Sequence, residues 1–184
     1  KKWQHYVDSR RLEITCGEAP YLVSRYDVST GERIAPPIQR IGILDRKLRI
    51  VNENTKDYDD WLKWVIRAFE ACYGYEYQGD NVLIARINLL LTFTDYHEER
   101  WGHRPDGKLL RQMANKIAWN IWQMDGLKDS VPLGKPYEEF FQITLFDMYE
   151  DAGSEKGDEP DALPCRIYNW RKKNSILFKK LKEM

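Results

Sequence analysis

Apolar residues recur at helical spacing in three long segments of the chain. Residues 55–72 begin with acidic side chains, which suit the positive end of a helix dipole, and residues 108–124 present one apolar face. A further helix is predicted from a cap at Asp80 or Asn81 to about Arg100. The apolar positions of residues 55–72, whose tryptophans we expect in the core, are Trp61, Leu62, Trp64, Val65, Ala68, Phe69 and Cys72.

Shorter apolar segments predict strands between these helices. Residues 10–16 predict a short buried first strand, with Pro20 in the first turn of a helix that follows it. Residues 73–77 predict a second strand, and partial alternation over residues 140–148 indicates a later one. Residues 41–50 fit either a helix or a helix that turns into a strand. Strands that alternate with helices predict an α/β fold.

The first predicted strand ends in an acid-x-x-Cys-Gly motif. Leu12 and Ile14 are its apolar residues, Glu13 supplies a carboxylate, and Cys16-Gly17 follows where the strand ends. At the carboxyl end of a parallel strand, backbone amides open toward a ligand, and glycine leaves room for its close approach. This arrangement is typical of a nucleoside-binding sheet.

The sequence of this segment resembles a motif of a known family. Residues 12–22 are similar to the cofactor motif D-P-A-C-G-[ST]-G-x-[FL] of adenine-specific (N6) DNA methyltransferases in restriction-modification systems, with Glu13, Cys16, Gly17 and Leu22 on motif positions. The chain is also similar to the group called restriction endonuclease subunit M, and this resemblance covers roughly residues 10–135. The resemblance implies a Rossmann-like, three-layer α/β/α methyltransferase fold that binds S-adenosylmethionine and acts on DNA.

Two later segments extend the resemblance. Residues 73–89 are similar to Y-G-x-E-x-D-x-x-A-V-x-[IL]-A-R-x-N-L, in which the acid, here Glu76, accepts hydrogen bonds from the ribose hydroxyls of the cofactor. Asp125 resembles the aspartate that receives the adenine amino group. Together the resemblance implies cofactor binding by Glu13, Cys16, Gly17, Ala19, Glu76 and Asp125.

The motif that holds the target base in such enzymes is missing. No [DNS]-P-P-[YFW] string occurs, although that motif grips the adenine amino group and stacks on the flipped base. Ala35-Pro36-Pro37-Ile38 lacks its polar and aromatic members. Pro136 and Tyr137, which follow Asp125 in chain order, are therefore the catalytic candidates.

Two other departures keep three functions open. Ala19 replaces the last glycine of the cofactor motif, which removes easy access to positive φ. Glu13 and Glu76 are much further apart than a compact βαβ unit of about 30 residues requires, so residues 26–60 contain an insertion. The chain is predicted to be an active modification subunit, a degenerate DNA-binding or specificity subunit, or a nuclease component that uses Glu13, Asp45, Lys47 and Glu76.

Composition indicates one soluble domain over residues 1–184. The chain has 42% apolar residues, and it contains neither an apolar segment of the ~20 residues that span a bilayer nor a signal peptide, so we expect a cytoplasmic protein without a membrane partner. Cys16, Cys72 and Cys165 lack the spacing of a disulfide framework or a zinc site. We expect no metal.

The charge is balanced overall, with 29 basic and 29 acidic residues, but it is unevenly distributed. Residues 150–164 predict a flexible acidic loop, and residues 165–184 form a basic segment with interleaved aromatics. This segment fits either a phosphate-tracking strand that stacks on bases or a solvated amphipathic helix. The chain begins without methionine, so we expect an upstream segment, and in the resembling family that segment closes over the cofactor. Other restriction-modification subunits are further expected partners.

Several single residues have a structural and a functional interpretation. Cys16 is predicted to be a small buried residue, because no histidine lies near it to activate a thiolate. His5, His97 and His103 are predicted at the surface. Asp95, Glu98 and Glu99 are predicted to form a solvated charged face in preference to a metal site. Trp119 and Trp122, close to Asp125, are predicted to pack in the core, with an adenine pocket as the alternative.

Overall fold

The computed structural model describes residues 2–27, 29–133 and 162–182, and these residues form a mixed α/β structure. A parallel sheet has the order β1, β2, β3, with β1 at Arg11–Glu13, β2 at Cys72–Glu76 and β3 at Ile121–Gln123. Leu12 lies opposite Tyr73, and Tyr75 lies opposite Trp122. All three strands therefore end at one edge of the sheet, which we call the carboxyl edge.

Helices connect and precede these strands. The helices are α1 at Lys2–Asp8, α2 at Ile43–Asn54, α3 at Tyr58–Glu70, α4 at Gly79–Trp101 and α5 at Gly107–Asn120, with a 3₁₀ helix at Pro37–Gln39. Residues 26–60, the predicted insertion, therefore contain the 3₁₀ helix and α2, and residues 41–50 belong mainly to a helix. No helix among the described residues is long and apolar enough to cross a membrane.

Helix α3 agrees with the prediction from the sequence. Asp57 is its cap and accepts a hydrogen bond from the Asp60 N–H at 2.9 Å. Trp61 is fully buried, and its indole N–H donates to Asn52 of α2 at 2.6 Å. Burial of the apolar face of α3 against the other helices is what stabilises this layer.

The two sides of the sheet carry different layers. Cys72 and Ile121 pack with the buried face of the helices, whereas Tyr73, Tyr75 and Trp122 point to the opposite side. That second side is covered by an antiparallel hairpin, β4 at Arg166–Asn169 and β5 at Asn174–Leu177, followed by the short helix α6 at Lys179–Lys182. The amphipathic-helix interpretation of residues 165–184 is therefore wrong, because residues 166–177 form a two-stranded hairpin.

The first strand differs from its prediction. It spans only Arg11–Glu13, and it is not buried, since Leu12 is 43% and Ile14 is 63% exposed. No helix begins at Pro20. The chain turns over residues 14–22 because Gly17 and Ala19 adopt positive φ, which an α-helix does not accommodate.

Two helix boundaries also differ. Helix α4 begins after Gln78 instead of after Asp80 or Asn81, which places Asp80 in the first turn beside the positive helix end. Helix α5 ends at Asn120, and the next residues, predicted as helical, pair with Gly74 and Tyr75 as β3. A short apolar segment can be a helix or a strand, and periodicity alone does not distinguish the two. Pairing with β2 makes these residues a strand. Three predicted features lie outside the described residues. They are the strand over residues 140–148, the catalytic candidates Pro136 and Tyr137, and residues 150–161 of the predicted loop.

Candidate functional site

The carboxyl edge brings together two residues that the sequence analysis selected separately. Glu76 ends β2, and its Oε2 accepts a hydrogen bond from the Gly17 N–H at 2.9 Å. Its Oε1 accepts a second bond from the Gln78 N–H at 3.1 Å. The Glu76 residue is only 8% exposed. One carboxylate therefore joins the loop that follows β1 to the turn that opens α4.

The loop after β1 alternates the sign of φ. Thr15, Gly17 and Ala19 have φ of 48°, 53° and 64°, and the residues between them do not have positive φ. Such alternation directs neighbouring backbone N–H groups to one side and creates a concavity that suits an anion. In this loop the Gly17 N–H contacts the Glu76 carboxylate, so a protein side chain supplies the negative charge.

Ala19 departs from what its side chain predicts. An L-residue in the left-handed region costs roughly 1–2 kcal/mol, yet Ala19 adopts φ of 64°. The expectation that alanine prevents positive φ here is wrong. The Ala19 methyl is fully buried in the helical core, and this burial offsets part of the conformational cost.

Glu13 holds the far end of the same loop. Burial raises the pKa of Glu13 to about 7, and the nearby backbone N–H groups of Leu22 and Tyr21 offset only part of that rise. Its buried Oε2 has no hydrogen-bond partner among the described residues. The raised pKa keeps a fraction of this carboxyl protonated near neutral pH, and a protonated oxygen can act as a donor.

Cys16 is a packing residue, as predicted. It is 1% exposed, and a β-carbon added to Gly74 would lie 3.1 Å from its sulfur. Burial, with help from the carboxylates of Glu13 and Glu76, raises the pKa of the Cys16 thiol to about 12. The thiol therefore stays protonated at neutral pH and does not act as a nucleophile. Glycine at position 74 is what lets this side chain lie on the sheet.

Asp125 lies at the same edge but bonds within its own turn. It comes two residues after the end of β3, and its Oδ1 accepts from the N–H groups of Leu127 and Lys128 at 2.9 and 3.2 Å. Its backbone N–H donates to the Ser130 carbonyl at 2.8 Å. The adenine-binding role of Asp125 remains a prediction.

The sequence analysis did not single out two residues that fasten the edge. The Asn88 side chain of α4 donates to the Glu18 carbonyl at 3.0 Å, and Arg86 donates to the carbonyls of Ile121 and Ala118 at 2.8 and 3.2 Å. Both positions fall within the A-R-x-N-L part of the second resembling motif. The second motif was therefore the sequence signal for Arg86 and Asn88, which position the loop after β1 and the end of α5.

Other predicted residues have structural partners. The core prediction is confirmed for Trp122, which is buried against Tyr75 and Phe178, and is wrong for Trp119, which is 40% exposed and packs beside Tyr168. The prediction that His97 lies at the surface is wrong. His97 is fully buried, with one ring nitrogen 3.2 Å from the Tyr58 hydroxyl.

The acidic residues of α4 fall into two groups: Glu98 and Glu99 are exposed, as predicted, whereas Asp95 is ion-paired. Asp95 receives hydrogen bonds from Arg25, Arg33 and Arg40, so the solvated-face interpretation is wrong for this residue. Within residues 2–27, 29–133 and 162–182, no group of three or more His, Cys, Asp or Glu side chains can hold a metal ion. Two residues considered for a nuclease component have partners elsewhere in the fold. The Asp45 carboxylate accepts from the Ser24 N–H, and the Lys47 ammonium donates to the Ser9 carbonyl.

Comparison of the chain with protein-family models, with curated proteins and with solved structures gives no match.

Proposed function

We propose that the chain is an S-adenosylmethionine-dependent DNA adenine-N6 methyltransferase module of a cytoplasmic restriction-modification system, with a Rossmann-like fold. The observation that carries the proposal is the Gly17–Glu76 hydrogen bond. It unites the first two resembling motifs at the carboxyl ends of adjacent parallel strands, which is where α/β sheets bind nucleoside ligands.

The chemistry of this contact suits a ribose. A carboxylate offers about four lone-pair sites, and Glu76 uses two of them for Gly17 and Gln78. Two remain for a pair of neighbouring hydroxyl groups. A β-carbon added to Gly17 would meet nothing within 4 Å, so the space beside this part of the loop is open.

The proposed reaction needs positioning more than covalent catalysis. When bound, S-adenosylmethionine would supply a methyl group on a positive sulfur, which adenine N6 would accept in exchange for a proton released to water. In this proposal Glu76 and Gly17 fix the ribose, Asp125 the adenine of the cofactor, and Pro136 and Tyr137 the flipped base.

A second candidate is a degenerate methyltransferase-like subunit that binds DNA beside an active partner. Two observations favour it: Ala19 occupies a left-handed position that glycine would fill without strain, and Asp125 Oδ1 is already engaged by its own turn. Both would weaken cofactor binding while leaving the fold intact.

Isothermal titration with S-adenosylmethionine and its demethylated product tests the proposal. We expect saturable binding that is lost in Glu76→Ala and kept in Glu53→Ala, which removes an exposed carboxylate from α2. Circular dichroism would check that both variants are folded. Absence of binding up to millimolar ligand would contradict the proposal.

A DNA methylation assay separates the two candidates. Transfer of a labelled methyl group to adenine in duplex DNA would identify an active modification subunit. Cofactor binding without transfer, in the presence of DNA, would favour the degenerate subunit.

A further inference from the structure

A groove separate from the carboxyl edge lies beside the middle of α4. It has a volume of about 460 Å³ and is lined on its polar side by Arg25, Tyr26, Arg33 and Arg104. Its apolar side includes Leu90, Leu91 and Leu110. Asp95, which also lines it, lies about 10 Å further along α4 than Asn88, the residue that touches the loop of the carboxyl edge.

Positive charge exceeds negative charge in this groove. Arg25 and Arg40 each lie 2.7 Å from Asp95 Oδ2, and Arg33 lies 2.9 Å from Oδ1. One carboxylate therefore meets three guanidinium groups. The carboxylates of Asp45 and Glu99 also act on Arg40, and none of these three residues lines the groove, whose own charges are Arg25, Arg33, Arg104 and Asp95.

Two of these arginines are buried and incompletely bonded. Arg25 is 4% exposed and Arg40 is fully buried. Arg25 Nε and Arg40 Nη1 have no hydrogen-bond partner within the described part of the chain. Buried positive charge that is not fully compensated is costly, and an anion in the adjoining groove would reduce this cost.

The charge reaches solvent through two exposed arginines. The Arg33 side chain is 55% exposed and that of Arg104 is 77% exposed, so both can contact a ligand directly. Arg104 also pairs with Glu98 at 3.4 Å, and both partners are exposed. Such a pair contributes little stability, so a stronger anion can displace it.

We propose that this groove binds a phosphate group attached to a nucleoside. The guanidinium fork matches phosphate oxygens in pairs, Arg33 and Arg104 supply the exposed forks, and the half-exposed ring of Tyr26 offers a stacking surface for a base. Free nucleotides and single-stranded nucleic acid share this chemistry. The proposal stands on these residues alone and does not require a cofactor at the carboxyl edge.

Titration of the full chain with deoxyadenosine 5′-monophosphate and with a short single-stranded DNA tests this proposal. We expect at least one of the two probes to bind, and Arg33→Gln/Arg104→Gln to weaken that binding roughly tenfold or more, since charge-assisted hydrogen bonds are lost. The matched control is Arg10→Gln/Arg46→Gln, which removes the same two charges from exposed positions that do not line the groove. Deoxyadenosine, which lacks the phosphate, should bind at least tenfold more weakly than the monophosphate if the latter binds.

The two probes distinguish the source of the phosphate. Saturation by the monophosphate indicates a free nucleotide, and binding of the DNA alone, with an affinity that falls as salt rises, indicates a strand. Failure of both probes to bind would overturn the proposal, as would an affinity that the double variant leaves unchanged. Neither result depends on S-adenosylmethionine, so this outcome is separate from that of the methyltransferase proposal.

Discussion

The helical layer and the loop over residues 14–22 lie on the same sheet but are held by different interactions. In the helical layer, Trp61, Leu89 and Phe93 are buried by packing against neighbouring helices. The loop instead exposes Ile14 and Tyr21 while burying Cys16 and Ala19, and its Gly17 N–H bonds to the Glu76 carboxylate. Packing determines the first region, whereas the second depends on a few hydrogen bonds and left-handed residues in addition to packing.

This difference indicates which substitutions affect the site without unfolding the domain. Truncation of a packed side chain removes both contacts and buried area, so its cost is felt by the whole domain. Removal of one carboxylate from the loop affects a small number of backbone N–H groups and the site that they surround. Substitutions in the two regions should therefore differ in whether they destabilise the whole domain or change only the loop.

The largest expected effect is in the helical layer. Trp61→Ala should lower the free energy of unfolding by about 3–5 kcal/mol, because the indole is fully buried and also donates to Asn52. Denaturant unfolding measures this cost. Trp119→Ala is the control, since Trp119 is 40% exposed, and an equal or larger loss in that variant would contradict the assignment of the core.

A smaller effect is expected at the junction between loop and sheet. Glu76→Ala removes the acceptor of the Gly17 and Gln78 N–H groups and should cost about 1–3 kcal/mol of stability. Amide hydrogen exchange should show faster exchange at Gly17 in this variant. Unchanged exchange there would mean that the carboxylate does not hold the loop.

Stability should also depend on pH through Glu13. Its pKa is raised from 4.5 to about 7 in the folded chain, so protonation stabilises the folded state. That contribution is fully present below pH 4.5 and is lost as the pH rises through 7. With allowance for partial exposure it amounts to about 1–2 kcal/mol.

Glu13→Gln isolates this contribution from other titrating groups. The difference in unfolding free energy between the original chain and the variant should change between pH 4.5 and 7.5, in the direction of lower stability for the original chain at higher pH. A difference that stays constant over this range would refute the assignment to Glu13.

The smallest effects concern the left-handed residues. Gly17→Ala should cost about 1–2 kcal/mol because φ is 53°, although space for the methyl is open. Ala19→Gly should be near neutral: relief of strain is opposed by loss of a buried methyl, about 0.8 kcal/mol, and by greater freedom of the unfolded chain. Thermal unfolding of both variants compares them, and a large loss in Ala19→Gly would be inconsistent with strain at this position.

The sequence predicted the helical layer better than the loop for the same physical reason. The apolar spacing of α3 records its buried face, and Asp57 is a local capping signal. The turn over residues 14–22 depends on Glu76, 59 residues after Gly17, and no local pattern records that partner. The motif resemblance selected both residues, but their contact is visible only in the fold.

The groove beside α4 was missed for a related reason. Arg25, Arg33 and Arg40 lie in an irregular segment without periodicity, and Asp95 lies on a helix whose acids suggested a solvated face. Their convergence is a property of how that segment crosses α4. Glu76 and Gly17, by contrast, were chosen from the ends of predicted strands, where parallel topology makes neighbouring residues meet.

The central claim is that the Gly17–Glu76 junction forms a nucleoside-binding site. Titration of ¹⁵N-labelled protein with S-adenosylmethionine, followed at the backbone amide of Gly17, tests it most directly. We predict saturable shifts at Gly17, Gln78 and their neighbours, and loss of those shifts in Glu76→Ala but not in Glu53→Ala. Saturating ligand that leaves these amides unchanged would contradict the claim, whether or not the ligand binds elsewhere.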